Sequence, residues 1–577
     1  MSRRLQGRGA APGAALAPAF IVRARTTATA VGRPAGSPQQ ERQRLDRALA
    51  EAHAQLLQLA ERVAAEVGED EAEIFEAHAE FAADPELGAR AHAAIGGGAS
   101  AEDAVAAGFG EFTELLAASA SEYLAARADD LDDVRDRVVA ILRGEQVGIE
   151  PPGEPSVIVA HELTPSQTAS LPRELMAAVV TATGSPTSHA AILARSVGIP
   201  AVVGVEGLLD VVGDGQLVAI DGRSGEVLVA PDPSQRAAFE RRLEEERVHR
   251  QRLDDLRDQP GQTADGHRVE LAANVGSRDD LKAAIAAGAE GAGLVRTEFL
   301  FLDRGTAPTV DEQTAFYREV LDAFPGHRVV FRTLDVGADK PLPFVVRDPE
   351  PNPALGVRGV RLSLQRDPLF RDQLRALLRT GGIAGASSGR LAIMFPLVST
   401  AAELIAAREV LEGVAREEAV DLTGVEVGVM VEVPSAALSA DRIARHADFL
   451  SIGTNDLLQY LFAADRLVAD VAELADVLDP DVLGLVASVI DAGHRHDAWV
   501  GVCGEAASDP ATAAALTGLG IDELSMTRVA IPEVKQTLRD LTVQDCRMAA
   551  NAALRADDAH SARAAVTRVL RTARPDA

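Results

Sequence analysis

Lysine is almost absent from this chain: Lys282, Lys340 and Lys535 are the only three in 577 residues, and arginine carries nearly all the positive charge. With abundant alanine, this reads as the imprint of a GC-rich genome and not as a function. Positive charge is scarce overall, with 57 Lys and Arg against 87 Asp and Glu and a net charge of −30. That balance argues against nucleic acid or anionic membrane as partners and favours a basic protein. Cysteine is limited to Cys503 and Cys546, which excludes a disulfide framework and makes a reducing cytoplasm the simplest compartment. No apolar run approaches membrane-spanning length. Arg3-Arg4 and the alanine-rich patch after them imitate an export signal, but Pro12 and Pro18 interrupt the patch and no cleavage region follows. A Gly-rich phosphate loop is also missing.

What is present divides the chain into regions of different texture, in keeping with about three or four domains for this length. Residues 39–147 are helical in pattern, with Leu45, Leu49, Leu56, Phe75, Phe109, Val134 and Val138 at helical spacing and a break at Gly96-Gly97-Gly98. Residues 61–90 carry ten acidic side chains against Arg62 and Arg90, so one face of this bundle is expected to be strongly negative. A solvated face and a dock for a basic partner both fit. Residues 148–230 hold short β-like runs punctuated by Gly and Pro: Val157 to Ala160, Ala177 to Thr181, Ala201 to Val205, Gln216 to Asp221 and Glu226 to Ala230. The run Ala19 to Val22, within residues 1–38, is expected to add a strand to that unit, making the bundle an insertion. Residues 231–260, highly charged and bracketed by prolines, suit a linker helix.

From residue 261 to 577, eight strand-like runs alternate with helical stretches: Val269 to Val275, Gly291 to Arg296, Val329 to Asp335, Leu391 to Val398, Glu426 to Val433, Asp448 to Gly453, Trp499 to Cys503 and Glu523 to Met526. Eight β/α repeats predict a TIM-type (β/α)8 barrel with its site at the C-terminal strand ends. Those ends carry Asn274, Arg296, Arg332, Asp335, Glu432, Asn455, Asp456 and Cys503, with Lys340, Arg358 and Arg466 in or near the following loops. Several guanidinium groups on one mouth suit a small polyanion, because each fork binds phosphate or carboxylate bidentately. Glu432 and Asp456 can share one hard divalent cation such as Mg2+, the rest of its shell being water and substrate oxygen. Salt bridges to the arginines are the plainer alternative for both. Cys503 reads equally as a proton donor facing substrate or as a small buried hydrophobe.

A second constellation lies in Thr183-Gly184-Ser185-Pro186-Thr187-Ser188-His189, a small-residue turn leading into an apolar helical stretch that ends at Arg195. Backbone N–H groups at a helix start attract anions, and Thr187, Ser188 and Arg195 add donors, so His189 is a candidate phosphoryl-carrying nucleophile. On spacing alone, Ser188 capping the helix with His189 filling its first turn is an equal reading.

The motifs as a set resemble enzyme I of the bacterial sugar phosphotransferase system, the phosphoenolpyruvate-protein phosphotransferases, across essentially the whole chain. They are Leu163-Thr164-Pro165-Ser166 with Thr168, Thr187-Ser188-His189, Gly198-Ile199-Pro200-Ala201-Val202-Val203-Gly204, Gly293-Leu294-Val295-Arg296-Thr297-Glu298-Phe299, Arg332-Thr333-Leu334-Asp335, Val429-Met430-Val431-Glu432-Val433-Pro434, Ile452-Gly453-Thr454-Asn455-Asp456-Leu457 and Cys503-Gly504-Glu505. The resemblance implies that His189 attacks phosphoenolpyruvate and passes the phosphoryl group to a histidine of the small carrier HPr, with Thr168 orienting it. It implies Mg2+ on Glu432 and Asp456, substrate gripped by Arg296, Arg332, Lys340, Arg358, Arg466 and the Asn455 backbone, and Cys503 protonating enolpyruvate to pyruvate. It also implies a cytoplasmic homodimer joined through the barrel, HPr docking on the acidic bundle, and a first step in sugar uptake.

Some positions depart from the family pattern. Ser185 and Pro186 replace a glycine and a variable residue in the histidine turn, which stiffens it. Ala338 replaces a glycine and Val433 a threonine, and Ala79, Glu80 and Phe81 differ from the larger apolar set expected at the HPr contact. Pyruvate phosphate dikinase and phosphoenolpyruvate synthase share the histidine domain and barrel but need an ATP-binding domain for which the first 150 residues leave no room. A decayed, non-catalytic barrel conflicts with retention of Glu432, Asp456, Cys503 and the arginines. An enzyme I paralogue of a nitrogen or dihydroxyacetone branch is the serious rival, although no sensory or carrier domain is expected at either end.

Overall fold

The computed structural model describes residues 2–22, 36–66, 69–117, 122–145, 149, 151–186, 188–196, 198–302, 304–337, 342–345, 350–383, 388–465, 468, 471 and 474–573. The chain falls into two compact units, Met1–Val248 and His249–Ala577.

In the first unit, β1 (Arg3–Gln6), β2 (Arg8–Ala11) and β3 (Ala14–Val22) open the chain. Five helices follow: α1 (Pro38–Glu66), α2 (Glu69–Ala83), α3 (Pro85–Gly96), α4 (Ala101–Ala117) and α5 (Glu122–Arg143). Leu45, Leu56, Ile95, Phe109, Val134 and Val138 form their shared core, at the helical spacing the sequence predicts. Asp84 starts α3 by accepting from the amides of Glu86 and Leu87, and Gly97 ends it. The next residue, Gly98, has φ +100°, a conformation that favours glycine and makes the bend into α4.

The chain then supplies β4 (Ser156–Ala160), α6 (Pro165–Ser170), β5 (Met176–Thr181), α7 (His189–Ser196), β6 (Ala201–Val203), β7 (Leu217–Asp221) and β8 (Glu226–Val229). The sheet order is β1-β8-β7-β3-β4-β5-β6-β2. Because β3 lies parallel to β4, pairing Ala19 with Val157 through Val22 with Ala160, the five helices between them are an insertion in this sheet domain. The first residues contribute three strands and not the single run expected. Glycine there permits close strand contact: a Cβ on Gly9 would lie 2.3 Å from the Gly222 carbonyl oxygen.

The helix Pro233–Asp255 has Phe239 as its buried residue, and Arg242 on it pairs with Asp221 at 2.7 Å. Beyond its end, the buried Lys535 ammonium donates to the carbonyls of Arg257 and Gly288 at 2.7 and 2.9 Å.

The second unit is a closed barrel of eight parallel strands: β9 (Glu270–Val275), β10 (Ala292–Arg296), β11 (Arg328–Arg332), β12 (Arg390–Phe395), β13 (Glu426–Val431), β14 (Phe449–Ile452), β15 (Trp499–Val502) and β16 (Glu523–Met526), with β16 returning to β9. Alternation along each strand separates two environments. Val329 and Phe331 join the large apolar layer beneath the helices, while Val330 joins Leu294, Ala392, Met394, Met430, Phe449 and Cys503 in the barrel interior. Burying one such Phe or Leu contributes about 1.5–3 kcal/mol. This interior plug separates polar groups at the two ends of the barrel. Among the described residues no helix is long and apolar enough to cross a membrane.

Candidate active site

In the first unit, β5 leads through residues 182–188 into α7, which His189 opens. Gly184 takes φ +97°, and the Ser188 amide donates back to Ser185 O at 3.0 Å, so the turn is tight. Ser188 O accepts from Ile192 at 2.9 Å, which places Ser188 at the helix cap and leaves the first-turn amides at the helix N-terminus. Arg195 does not stand ready beside an incoming anion. Its Nε and Nη2 donate to Ala10 O at 3.0 and 2.6 Å, and Nη2 also to Pro186 O at 2.9 Å, so it staples the turn to β2. Thr187 lies outside the described residues.

Helix α7 is fixed on two sides. Ala191 and Ala194 pack with Leu163, Leu171 and Ile199 of the sheet domain, while Leu193 packs with Leu59, Val63, Ala72 and Phe75 of α1 and α2. Beside it, α6 starts with a capping box between Thr164 and Gln167, and its Ser166 amide donates to Asp133 of α5 at 3.2 Å. Thr168 is buried and its hydroxyl donates to Thr164 O at 3.1 Å, leaving oxygen lone pairs for an acceptor role. In the acidic bundle, Ala79 is buried in the core, so it is not part of an outward contact face, whereas Glu80 is exposed.

In the second unit the predicted groups gather at the C-terminal ends of the strands. Arg296 ends β10 and is exposed; Arg332 ends β11 and is buried; Glu432 follows β13; Asn455 and Asp456 lie in the first turn of the helix Thr454–Phe462 after β14; Cys503 follows β15. Lys340 and Arg466 lie outside the described residues. Asp335 joins two of the arginines: Arg332 Nη1 is 3.0 Å from its Oδ2, and Arg358 Nη2 donates to both of its oxygens at 3.2 and 3.3 Å. Burial works against the Arg332 charge, but the carboxylates of Glu298 and Asp335 outweigh it and hold the guanidinium firmly protonated. Arg332 Nε is buried with no partner among the described residues.

Glu432 is fully buried, and its Oε1 accepts from Leu397 N at 2.7 Å. Its Oε2 has no partner among the described residues. Burial, then the charges of Asp335 and Asp456, push its carboxyl well above the usual range. A cation beside Glu432 and Asp456 would reverse that balance, so the orphaned oxygen fits a divalent metal. Among the described residues no three His, Cys, Asp or Glu side chains form a metal cage.

Burial pushes the Cys503 thiol up to about 12, aided by the nearby Glu432 charge and opposed by Ser451. It therefore keeps its proton at neutral pH, the form a proton donor needs. Its Sγ donates weakly to Ile452 O at 3.8 Å, and Asn274 Nδ2 donates to its carbonyl at 3.1 Å. Gly504 is required beside it, since a Cβ there would lie 1.8 Å from Thr454 Oγ1. The Asn455 side-chain oxygen accepts from Glu505 N at 3.1 Å, tying the segments after β14 and β15 together.

Residues 6–127, 152–225 and 250–543 match, in that order, the N-terminal, mobile and PEP-binding domains of PEP-utilising enzymes. A phosphoenolpyruvate-protein phosphotransferase of Haloferax volcanii is 46% identical over 521 residues, covering 89% of this chain and 90% of that one. The chain belongs to the phosphoenolpyruvate-protein phosphotransferase family. A member from Streptomyces coelicolor is 46% identical over 499 residues, covering 86% of this chain and 87% of its own. One from Geobacillus stearothermophilus is 41% identical over 551 residues, 94% of each. As a member of that family the chain is a transferase, with the barrel corresponding to the family's PEP-binding domain.

Sequence reasoning assigned no role to Glu298, Thr297 or Gln373, all buried behind the end of β11. A carboxylate two residues past a strand-end arginine and followed by Phe299-Leu300-Phe301 is the signal that could have drawn attention to Glu298.

Proposed function

We propose that this chain takes a phosphoryl group from phosphoenolpyruvate onto His189 and passes it to a histidine of HPr, releasing pyruvate, as the first step of sugar uptake. The observation that carries the reading is the barrel mouth. A buried arginine at the end of β11 with an Nε unpartnered among the described residues, a second arginine from the connection after β11 sharing its Asp335, and a Glu432 oxygen after β13 likewise unpartnered lie on the C-terminal side of the barrel, in a chain of this family.

Arg296, Arg332, Arg358, Lys340 and Arg466, with the Asn455 backbone, neutralise the phosphate and carboxylate of the substrate and align its phosphorus with the attacking nitrogen. Glu432 and Asp456 would hold Mg2+, which when bound supplies positive charge to the substrate oxygens. The P–N bond to His189 forms as the bond from phosphorus to the enol oxygen breaks. Thr168 orients the imidazole. The Cys503 thiol gives its proton to the methylene carbon of enolpyruvate, forming the methyl group of pyruvate, and the thiolate regains a proton from solvent. His189 and the barrel residues belong to separate compact units, so transfer requires the two to meet, with Pro233–Asp255 between them in sequence. The acidic bundle receives the basic face of HPr, the barrel forms a homodimer, and the protein works in the cytoplasm.

Labelled phosphoenolpyruvate with Mg2+ is expected to give an acid-labile, base-stable phosphoprotein that loses its label to HPr. Label persisting in His189→Ala overturns the assignment. Asp456→Ala is expected to abolish labelling from phosphoenolpyruvate while phosphorylated HPr still exchanges with His189, and loss of both contradicts separate sites.

A further inference from the structure

Past the end of β11, Leu334 and Asp335 leave the barrel ladder and must satisfy their backbone N–H groups elsewhere. Thr333 N still reaches Met394 O at 2.9 Å, but Leu334 N donates to Gln373 Oε1 and Asp335 N to Glu298 Oε1, both at 2.9 Å. The carbonyl of Arg332 accepts from Thr297 Oγ1 at 2.9 Å, and Gln373 Nε2 donates to that same hydroxyl oxygen at 3.0 Å. Thr297, Glu298 and Gln373 are all buried. They form a polar bracket that replaces the missing sheet partner for residues 332–335.

Glu298 does one thing the other two do not. The oxygen that accepts from Asp335 N also accepts from Arg332 Nη2 at 2.9 Å. One buried atom therefore fixes both the loop backbone that carries Asp335 and the guanidinium that Asp335 touches from the other side. Burying a lone carboxylate costs several kcal/mol, so its retention needs both charge-assisted contacts. Asp335 cannot substitute as the brace, because it is shared with Arg358. With Nη1 at Asp335 and Nη2 at Glu298, the rotation of the guanidinium is set and Nε is the donor without a partner among the described residues.

We infer that Glu298 is a positioning residue for phosphoenolpyruvate binding: it acts through Arg332, holding the guanidinium rotated and the 332–335 loop in place so that the substrate anion meets a preset donor. This rests on the phosphoenolpyruvate reading of the barrel mouth.

The test is equilibrium binding of phosphoenolpyruvate with Mg2+ to the full chain, together with KM and kcat. Glu298→Ala is expected to weaken binding about thirtyfold and lower kcat/KM about a hundredfold, while phosphoryl exchange between HPr and His189 stays at the parent rate. Glu298→Gln keeps an amide oxygen for Asp335 N and is expected to restore binding to within about fivefold of the parent. In an Arg332→Met background, adding Glu298→Gln is expected to change binding less than about twofold, since the group it acts through is gone. Parent-like binding by Glu298→Ala, or an equal loss from Glu298→Gln with and without Arg332, overturns the inference. If Glu298→Ala fails to fold, the Glu298→Gln comparison in the two backgrounds decides alone. A parent chain that binds no phosphoenolpyruvate overturns the substrate reading as well; one that binds it while Glu298 proves uncoupled overturns this inference only.

Discussion

Arg328 and Arg332 sit four residues apart on β11, both turned into the barrel, and meet opposite fates. At the N-terminal end, Arg328 is ringed by carboxylates. Its Nε and Nη1 reach Glu426 and Glu270 at 3.0 and 3.1 Å, Glu523 lies 3.5 Å from Nη1, and the guanidinium lies 3.8 Å from the centre of the Trp499 ring. At the C-terminal end, Arg332 has two carboxylate partners and keeps a buried Nε without one among the described residues. The same contrast recurs on β15, where Trp499 stacks on Phe449 at 4.5 Å between ring centres, while Cys503 holds a thiol proton. One end of the barrel gathers three carboxylates and an aromatic ring around its guanidinium, and the other leaves a buried guanidinium Nε and a carboxylate oxygen unpartnered among the described residues. A single strand thus serves stability at one end and chemistry at the other.

The sharpest way to break this contrast is to remove each arginine in turn. Arg332→Met is expected to lower kcat/KM for phosphoenolpyruvate by about a thousandfold or more per folded molecule, together with a stability loss from leaving the buried Glu298 and Asp335 without their cation. Arg328→Met is expected to cost stability without a comparable loss of turnover. It strands three carboxylates without their cation, so stability should fall by about 3–5 kcal/mol while turnover per folded molecule stays within about twofold. Denaturant unfolding followed by Trp499, the chain's only tryptophan, reads the second directly because the ring lies against Arg328. Matching losses of turnover from the two variants would dissolve the distinction.

How much of this was legible in the sequence differs between the two ends for a physical reason. The eight strands were readable because fully buried parallel strands are short apolar runs with sharp edges; β16 was anticipated to the residue and β15 to within one. The mouth was legible because strand-end residues inherit their position from the strand. The carboxylate brace at Glu298 was not, since its contacts to Arg332 and Asp335 span 34 and 37 residues and no local pattern encodes them. The bottom cluster was invisible for the same reason: Glu270, Glu426 and Glu523 each begin a different strand and meet only when the barrel closes. In the first unit, the sequence offers Arg195 as a donor to an anion near His189, and the pairing of β2 with β6 instead brings Ala10 O within its reach.

A smaller effect is expected on β15. Cys503→Ala should slow pyruvate formation about a hundredfold by removing the proton that burial keeps on sulfur, and should leave exchange between HPr and His189 at the parent rate. Trp499→Phe, four residues earlier, should leave both within about twofold. A forward rate untouched by Cys503→Ala would mean that the mouth end of β15 is as purely structural as its other end.

The most delicate difference lies in Glu523, which starts β16 fully buried with neither oxygen hydrogen-bonded among the described residues. Gly293 leaves room for it, since a Cβ there would lie 2.4 Å from its Oε1. Burial, then the charge of Glu270, push its carboxyl up to about 8, against the opposing pull of Arg328. In the unfolded chain a glutamate loses its proton near pH ~4.3. Between those values the folded protein holds a proton that the unfolded chain does not, so this group's stabilisation is complete at low pH. It declines by roughly 1 kcal/mol per pH unit as pH rises toward 8. Glu523→Gln keeps the neutral shape and removes the titration. Its unfolding free energy, followed by Trp499, should match the parent near pH 5 and exceed it increasingly up to pH 8, whereas parallel curves for parent and variant would show that the N-terminal end of the barrel carries no such proton.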